Sequence, residues 1–183
     1  LGQVHVVIEK LALLAPWQTP GTVPPPAQLV GPAPGALPPA LAERLARGYV
    51  VVHAPSMWPY KQWPLDHFHA LTGLLTLAGR QVVLTGGPGA SDRRAVAALA
   101  SAGDPDQVVD AGVLSFNQVA TLLRGAALYI GPDTSVSHLA AACGVPVLAL
   151  FGPTNPQRWA PWPAAPAGQP VRFQRQAGRQ TVG

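Results

Sequence analysis

From residue 49 the chain repeats one pattern. Tyr49-Val50-Val51-Val52-His53 is a short apolar run rich in β-branched residues. Four more such runs follow: 81–85, 107–110, 127–130 and 145–150. Near-continuous apolar strands of this length suit a parallel sheet covered on both faces. Helical patterns lie between them. Residues 65–75 follow Pro64 and 91–100 are rich in alanine; 116–123 follow Ser115, a plausible N-cap, and 135–143 end at Gly144. Strand and helix alternate four times and a fifth strand closes the series. The expected fold is α/β, a Rossmann-like doubly wound parallel sheet over residues 49–163. No internal repeat is visible.

Residues 1–48 read differently. The stretch 4–14 suits an amphipathic helix that Pro16 ends. Pro20, Pro24, Pro25, Pro26, Pro32, Pro34, Pro38 and Pro39 then favour extended chain. Residues 40–47 suit a short helix ending at Gly48. The whole piece reads as the end of another unit plus a linker.

Composition narrows the class. With 48% apolar and 11% charged residues in 183, the chain has the material for a real core and does not read as disordered. The net charge of +4 comes from scattered residues, and Lys10 and Lys61 are the only lysines. A nucleic-acid surface would cluster its basic residues. The mild positive field suits an anionic small ligand or an acidic membrane surface, and arginine bias alone gives the same balance. Cys143 is the only cysteine, which excludes an internal disulfide and a Cys-rich metal site; it reads as a buried small residue. The longest apolar run, 139–151, contains Gly144 and Pro146 and is too short to span a membrane. The chain opens on Leu1 with no signal-peptide pattern, and the expectation is a fragment.

In open parallel sheets ligands bind at the carboxyl ends of the strands. The first such loop, 53–64, holds Ser56, Trp58, Tyr60, Lys61 and Trp63. Lysine is a compact charge that suits phosphate, though a solvated lysine on a rigid loop fits as well. The second loop is Thr85-Gly86-Gly87-Pro88, where glycines let a ligand approach the backbone. It does not match the dinucleotide-binding fingerprint. The fourth is Gly131-Pro132-Asp133-Thr134-Ser135-Val136-Ser137-His138. Asp133 or Thr134 can cap a helix whose free N–H groups and positive end form an anion site, with His138 beside it. A capped helix with a satisfied histidine is the plainer reading. After the fifth strand come Phe151-Gly152-Pro153-Thr154 and then Trp159 and Trp162, for which packing is the simpler role. No zinc-protease, Walker A or nucleophile-elbow motif occurs, and a metal site is not expected.

Taken in order, these loops resemble a known family. They are His53 with Lys61-x-Trp63-Pro64, Thr85-Gly86-Gly87-Pro88, Gly131-x-Asp133-Thr134-x-x-x-His138, Leu150-Phe151-Gly152-Pro153-Thr154-x-Pro156, and Trp159-x-Pro161-Trp162. The set is similar to glycosyltransferase family 9, the lipopolysaccharide heptosyltransferases, over residues 49–163. The resemblance implies the B-type fold, two Rossmann-like domains facing across a cleft. This chain would be the C-terminal, donor-binding half. The donor would be a nucleotide sugar, typically ADP-heptose, and the acceptor a lipid-linked saccharide bound by the N-terminal domain. Transfer would invert the anomeric centre without metal or cofactor, using an aspartate of that N-terminal domain. The resemblance also implies a cytoplasmic enzyme, with peripheral contact at the inner face of the membrane.

Position by position, it puts Lys61 on the diphosphate or sugar, with Ser56 adding a hydroxyl. Asp133, Thr134, Ser135 and His138 would gather at the helix end. Thr85, Gly86 and Gly87 would border the nucleotide, and Leu114 would touch the adenine. The sequence departs from the family pattern twice. Ser135 stands where glycine is usual, and Asp92 is the only acid after the glycine turn. Residues 164–183 read as the start of the family's C-terminal region, cut short, so the chain by itself is expected to be inactive. Two alternatives remain: another nucleotide-sugar enzyme of the B-type fold, and a non-catalytic nucleotide-binding fragment.

Overall fold

The computed structural model describes residues 4–19, 21, 29–101 and 103–162. The expectation for 164–183 lies outside them, as do Pro20 and Pro24–Pro26. Five strands form one all-parallel sheet: β1 (Val50–His53), β2 (Val82–Thr85), β3 (Val108–Asp110), β4 (Leu128–Pro132) and β5 (Val147–Leu150), in the order β3-β2-β1-β4-β5. β1 is central, and Val50 pairs with both Val82 and Leu128. The sheet is doubly wound, as the sequence pattern predicts.

Three valines in a row suit β1 because both sheet faces are covered. Val51, Val83, Val109 and Tyr129 face one core, shared with α5 (Phe116–Gly125) and α6 (Ser135–Ala142). Val52, Val82, Leu84 and Ile130 face the other, with Phe68 of α3 (Leu65–Leu77) and Val96 and Leu99 of α4 (Ala90–Ala100). Each such buried side chain contributes roughly 1.5–3 kcal/mol relative to exposure. Ser115 starts α5 with a capping box: its Oγ accepts from Gln118 N and Gln118 Oε1 accepts from Ser115 N. Gly144, at φ +79°, ends α6.

The N-terminal piece is more closely attached than a free linker. Gly35 N donates to Asn117 O at 3.1 Å, Arg124 to Pro32 O at 2.6 Å and Gln118 Nε2 to Ala36 O at 2.8 Å. Leu41 is buried in the α5–α6 core. Residues 32–36 therefore run as a strap along α5. After it, α2 (Pro39–Ala42) is shorter than the expected 40–47. The Gln81 side chain takes the Arg44 carbonyl and the Ala46 amide, both at 2.8 Å, and so competes with the helix. The first helix, α1 (Val6–Ala12), is likewise shorter than 4–14, with His5 capping it. Pro16 does not end it; it sits inside a separate 3-10 turn, Ala15–Trp17. α1 meets the far end of the described chain, where His5 bonds Ala160 O at 2.8 Å and Glu9 pairs with Arg158 of α7 (Pro156–Trp159) at 2.7 Å. No helix among the described residues is long and apolar enough to cross a membrane.

Candidate functional site

A cleft of about 470 Å³ opens at the carboxyl end of the sheet. It is the size of an ordinary small-molecule site. His53 ends β1 on its wall, Gly87 comes from the β2–α4 turn and Asp92 from the first turn of α4, and Asp133 to Val136 lead from β4 into α6. The β1–α3 loop adds Pro55, Ser56, Met57, Trp58 and Lys61; His138 and Trp159 complete the lining.

The polar centre is one carboxylate between a lysine and a histidine. Lys61 Nζ donates to Asp133 Oδ2 at 2.7 Å, and His138 Nε2 lies 3.6 Å from Oδ1. Thr154 Oγ1 donates to Oδ2 at 3.3 Å. Asp133 is 6% exposed, so these partners replace its water. Burial pushes the Asp133 carboxyl up, but contact with His138 and Lys61 outweighs it and holds the pKa below its ordinary value. The fold brings these groups together. Asp133 follows β4 directly, and its amide donates to Leu150 O of the neighbouring strand at 3.1 Å. Thr134 is the N-cap of α6, where Ser137 Oγ accepts from Thr134 N at 3.2 Å. The amides of Ser135 and Val136 occupy the first turn, where helices have no internal acceptors. Lys61 and Asp133 balance each other, and the free amides and positive end of the helix add an attraction for an anion that His138 joins when protonated.

His53 is a second buried titratable side chain on the cleft wall. Its Nδ1 lies 3.0 Å from Thr85 Oγ1, and burial pushes its pKa down to about 4, against the partial opposition of Asp92 and Thr85. At neutral pH it is an uncharged imidazole.

Of the residues expected at the site, Ser56, Lys61, Gly87, Asp133, Thr134, Ser135 and His138 line this one cleft. Thr85, Gly86 and Leu114 do not. Thr85 is buried against His53, and Leu114 packs on the α5–α6 core. A Cβ on Gly86 would sit 2.8 Å from Val96 Cγ2, so glycine there serves the close approach of α4. Of the tryptophans, Trp63 packs edge-on against Phe68 at 5.0 Å and Trp162 packs at a tilt against His5, while Trp58 and Trp159 reach the cleft. His53 and Thr154 were missed as site residues. The signal for His53 was its place at the end of the central strand; Thr154 stood in the Phe151-Gly152-Pro153-Thr154 motif, but nothing in the sequence tied it to Asp133.

The family model for glycosyltransferase family 9 (heptosyltransferase) matches residues 27–179. The chain belongs to glycosyltransferase family 9. It is 36% identical over 115 residues to lipopolysaccharide heptosyltransferase 3 of Escherichia coli strain K12, covering 62% of this chain and 33% of that protein. It is also 36% identical over 108 residues to lipopolysaccharide heptosyltransferase 1 of Pseudomonas aeruginosa strain PAO1, covering 59% and 30%. The chain thus spans about a third of the length of the curated relatives it matches. Among solved structures, the E. coli heptosyltransferase WaaC with ADP superposes with a TM-score of 0.67 at 27% identity, covering 88% of this chain and 48% of that one. Structural neighbours in this family include B-type heptosyltransferases, whose fold the parallel sheet shares.

Proposed function

We propose that this chain is the donor-binding half of a heptosyltransferase-like glycosyltransferase, and that its cleft holds a nucleoside-diphosphate sugar, ADP-heptose. The observation that carries this is the Lys61–Asp133–His138 cluster at the start of α6. A diphosphate placed there meets the Lys61 ammonium, the His138 imidazole and the positive end of a helix. The family relationship and the ADP in the WaaC structure support the choice of ligand.

In the proposed reaction the sugar leaves its diphosphate as an acceptor hydroxyl attacks, with inversion. Negative charge grows on the departing diphosphate. Lys61, the α6 amides and His138 when protonated stabilise that charge, which is electrostatic catalysis by preorganised groups. Asp133 keeps the Lys61 and His138 side chains in place. No metal is required in this scheme. The general base and the lipopolysaccharide acceptor site belong to the rest of the enzyme. The same reading places the enzyme in the cytoplasm, in peripheral contact with the inner face of the membrane.

The test is thermal unfolding of the 183-residue chain with ADP, UDP or GDP. At about 100 times its Kd, ADP is expected to add roughly 2.7 kcal/mol and raise Tm by roughly 5–10 °C. A shift with UDP or GDP instead keeps the transferase and changes the donor. A cooperative melt that none of the three moves overturns donor binding by this chain.

A further inference from the structure

We propose that the turn between β5 and α7, residues 151–155, is a positioning element: Thr154 orients the Asp133 carboxylate and Gly152 seats the Lys61 loop, neither touching the ligand. This rests on the donor-binding reading above. Two independent contacts carry it.

The first is the bond from Thr154 Oγ1 to Asp133 Oδ2 at 3.3 Å. Lys61 Nζ reaches that same oxygen at 2.7 Å, and His138 stands nearest the other. A carboxylate can rotate about its last bond, and a lysine on four methylenes has little preference of its own. Thr154 supplies a neutral donor that fixes the plane of the carboxylate without adding charge.

The second contact is steric. A Cβ on Gly152 would lie 2.8 Å from the Tyr60 carbonyl oxygen and 3.9 Å from Lys61 Cα. The obstacle is main chain, which cannot swing aside. The turn therefore presses on the backbone directly behind Lys61. Neither Gly152 nor Thr154 lines the cleft. One short turn thus touches both members of the ion pair from outside. An ångström of misplacement in such a group can cost on the order of 10²-fold in rate.

The experiment compares Thr154→Val, Thr154→Ser and Gly152→Ala in the 183-residue chain, alone and with Lys61→Met. Calorimetric ADP titration is the first readout. Thr154→Val is expected to weaken ADP about 3- to 10-fold, the scale of one hydrogen bond, with Thr154→Ser restoring it. In the Lys61→Met background the same change is expected to have no further effect. Equal weakening with and without Lys61 overturns the proposal, because the turn would then act generally. Gly152→Ala is expected to weaken ADP in the same Lys61-dependent way.

The second readout needs no ligand: the titration of the Asp133 carboxyl by carbon NMR. Removing a donor to the ionised form should move it upward in Thr154→Val and back in Thr154→Ser. If wild type binds no nucleotide, the donor reading fails, yet this titration still decides the positioning role. An Asp133 titration unchanged in Thr154→Val overturns it.

Discussion

At the β1–β4 end of the cleft, Lys61 and His138 share the single carboxylate of Asp133. On the β2–β3 side of the sheet, where Asp92 lines the cleft and Asp110 lies outside its lining, the acids are held another way. Asp92 accepts from the Gly87 amide at 3.1 Å. Asp110 accepts from the Gly112 amide at 2.8 Å and pairs with Arg93. Both ends are built from the same part, the turn between a parallel strand and the next helix. One sets a lysine and a histidine on a single acid; the other ties its two acids to glycine amides and pairs Asp110 with Arg93. A ligand with a charged and an uncharged end would be oriented by that difference, phosphate toward α6 and hydroxyl-bearing groups toward Asp92.

The comparison breaks most sharply if Lys61 is removed. Lys61→Met should weaken ADP by roughly 10- to 100-fold in calorimetry, the loss of a charged hydrogen bond. It should also lower Tm, because Asp133 is left buried with less compensation. Asp110→Asn, at the other end, should lower stability by about 1 kcal/mol or less in urea unfolding, since that pair is about a third exposed. Its ADP affinity should stay within about twofold. Similar losses of affinity in both variants would erase the asymmetry.

His53 stands between the two ends and responds to pH. Its pKa in the folded chain, about 4, lies below the ordinary 6.5. On acidification the unfolded chain therefore binds the proton first. The contribution is intact above about pH 6.5 and is lost as pH falls toward 4, up to about 3 kcal/mol. Asp133, whose pKa is lowered by its partners, adds a second loss at still lower pH, below the ordinary 3.8. Urea unfolding at stepped pH should show the first loss, and His53→Gln should flatten it.

A smaller effect separates packing from binding at the β2 turn. Gly86→Ala puts a methyl against Val96 and should cost about 1–3 kcal/mol of stability in urea unfolding. ADP affinity of the folded protein should change little. A large affinity loss at unchanged stability would return Gly86 to the ligand. The smallest effect is expected at Ser135, exposed in the first turn of α6. Ser135→Gly should shift stability by about 0.5 kcal/mol and ADP affinity by less than about threefold, measured on the same samples.

The sheet was legible because its signal is local. Runs such as Val50-Val51-Val52 announce a strand covered on both faces whatever surrounds them. The helix start at Ser135 was legible for the same reason. Long-range partners were not. Nothing near residues 40–47 shows that Gln81 will take the Arg44 carbonyl and shorten that helix. Nothing near Leu114 shows that it turns to the core while Asp92 stays at the cleft. The role of Thr154 depends on a carboxylate 21 residues away, across a strand. Motif order found half of the lining; which side chain turns inward depended on the packed sheet.

The central place of β1 has a consequence for how the protein is made. Lys61 and Asp133 are 72 residues apart in the chain. At roughly 5–20 residues per second of synthesis, about 4–14 s separate their appearance. During that interval β1 can pair with β2, but the edge that β4 will occupy stays open. An open strand edge of valines is a template for other chains. The anion site is thus assembled late in synthesis, and the nascent chain depends on β4 arriving before a neighbour does.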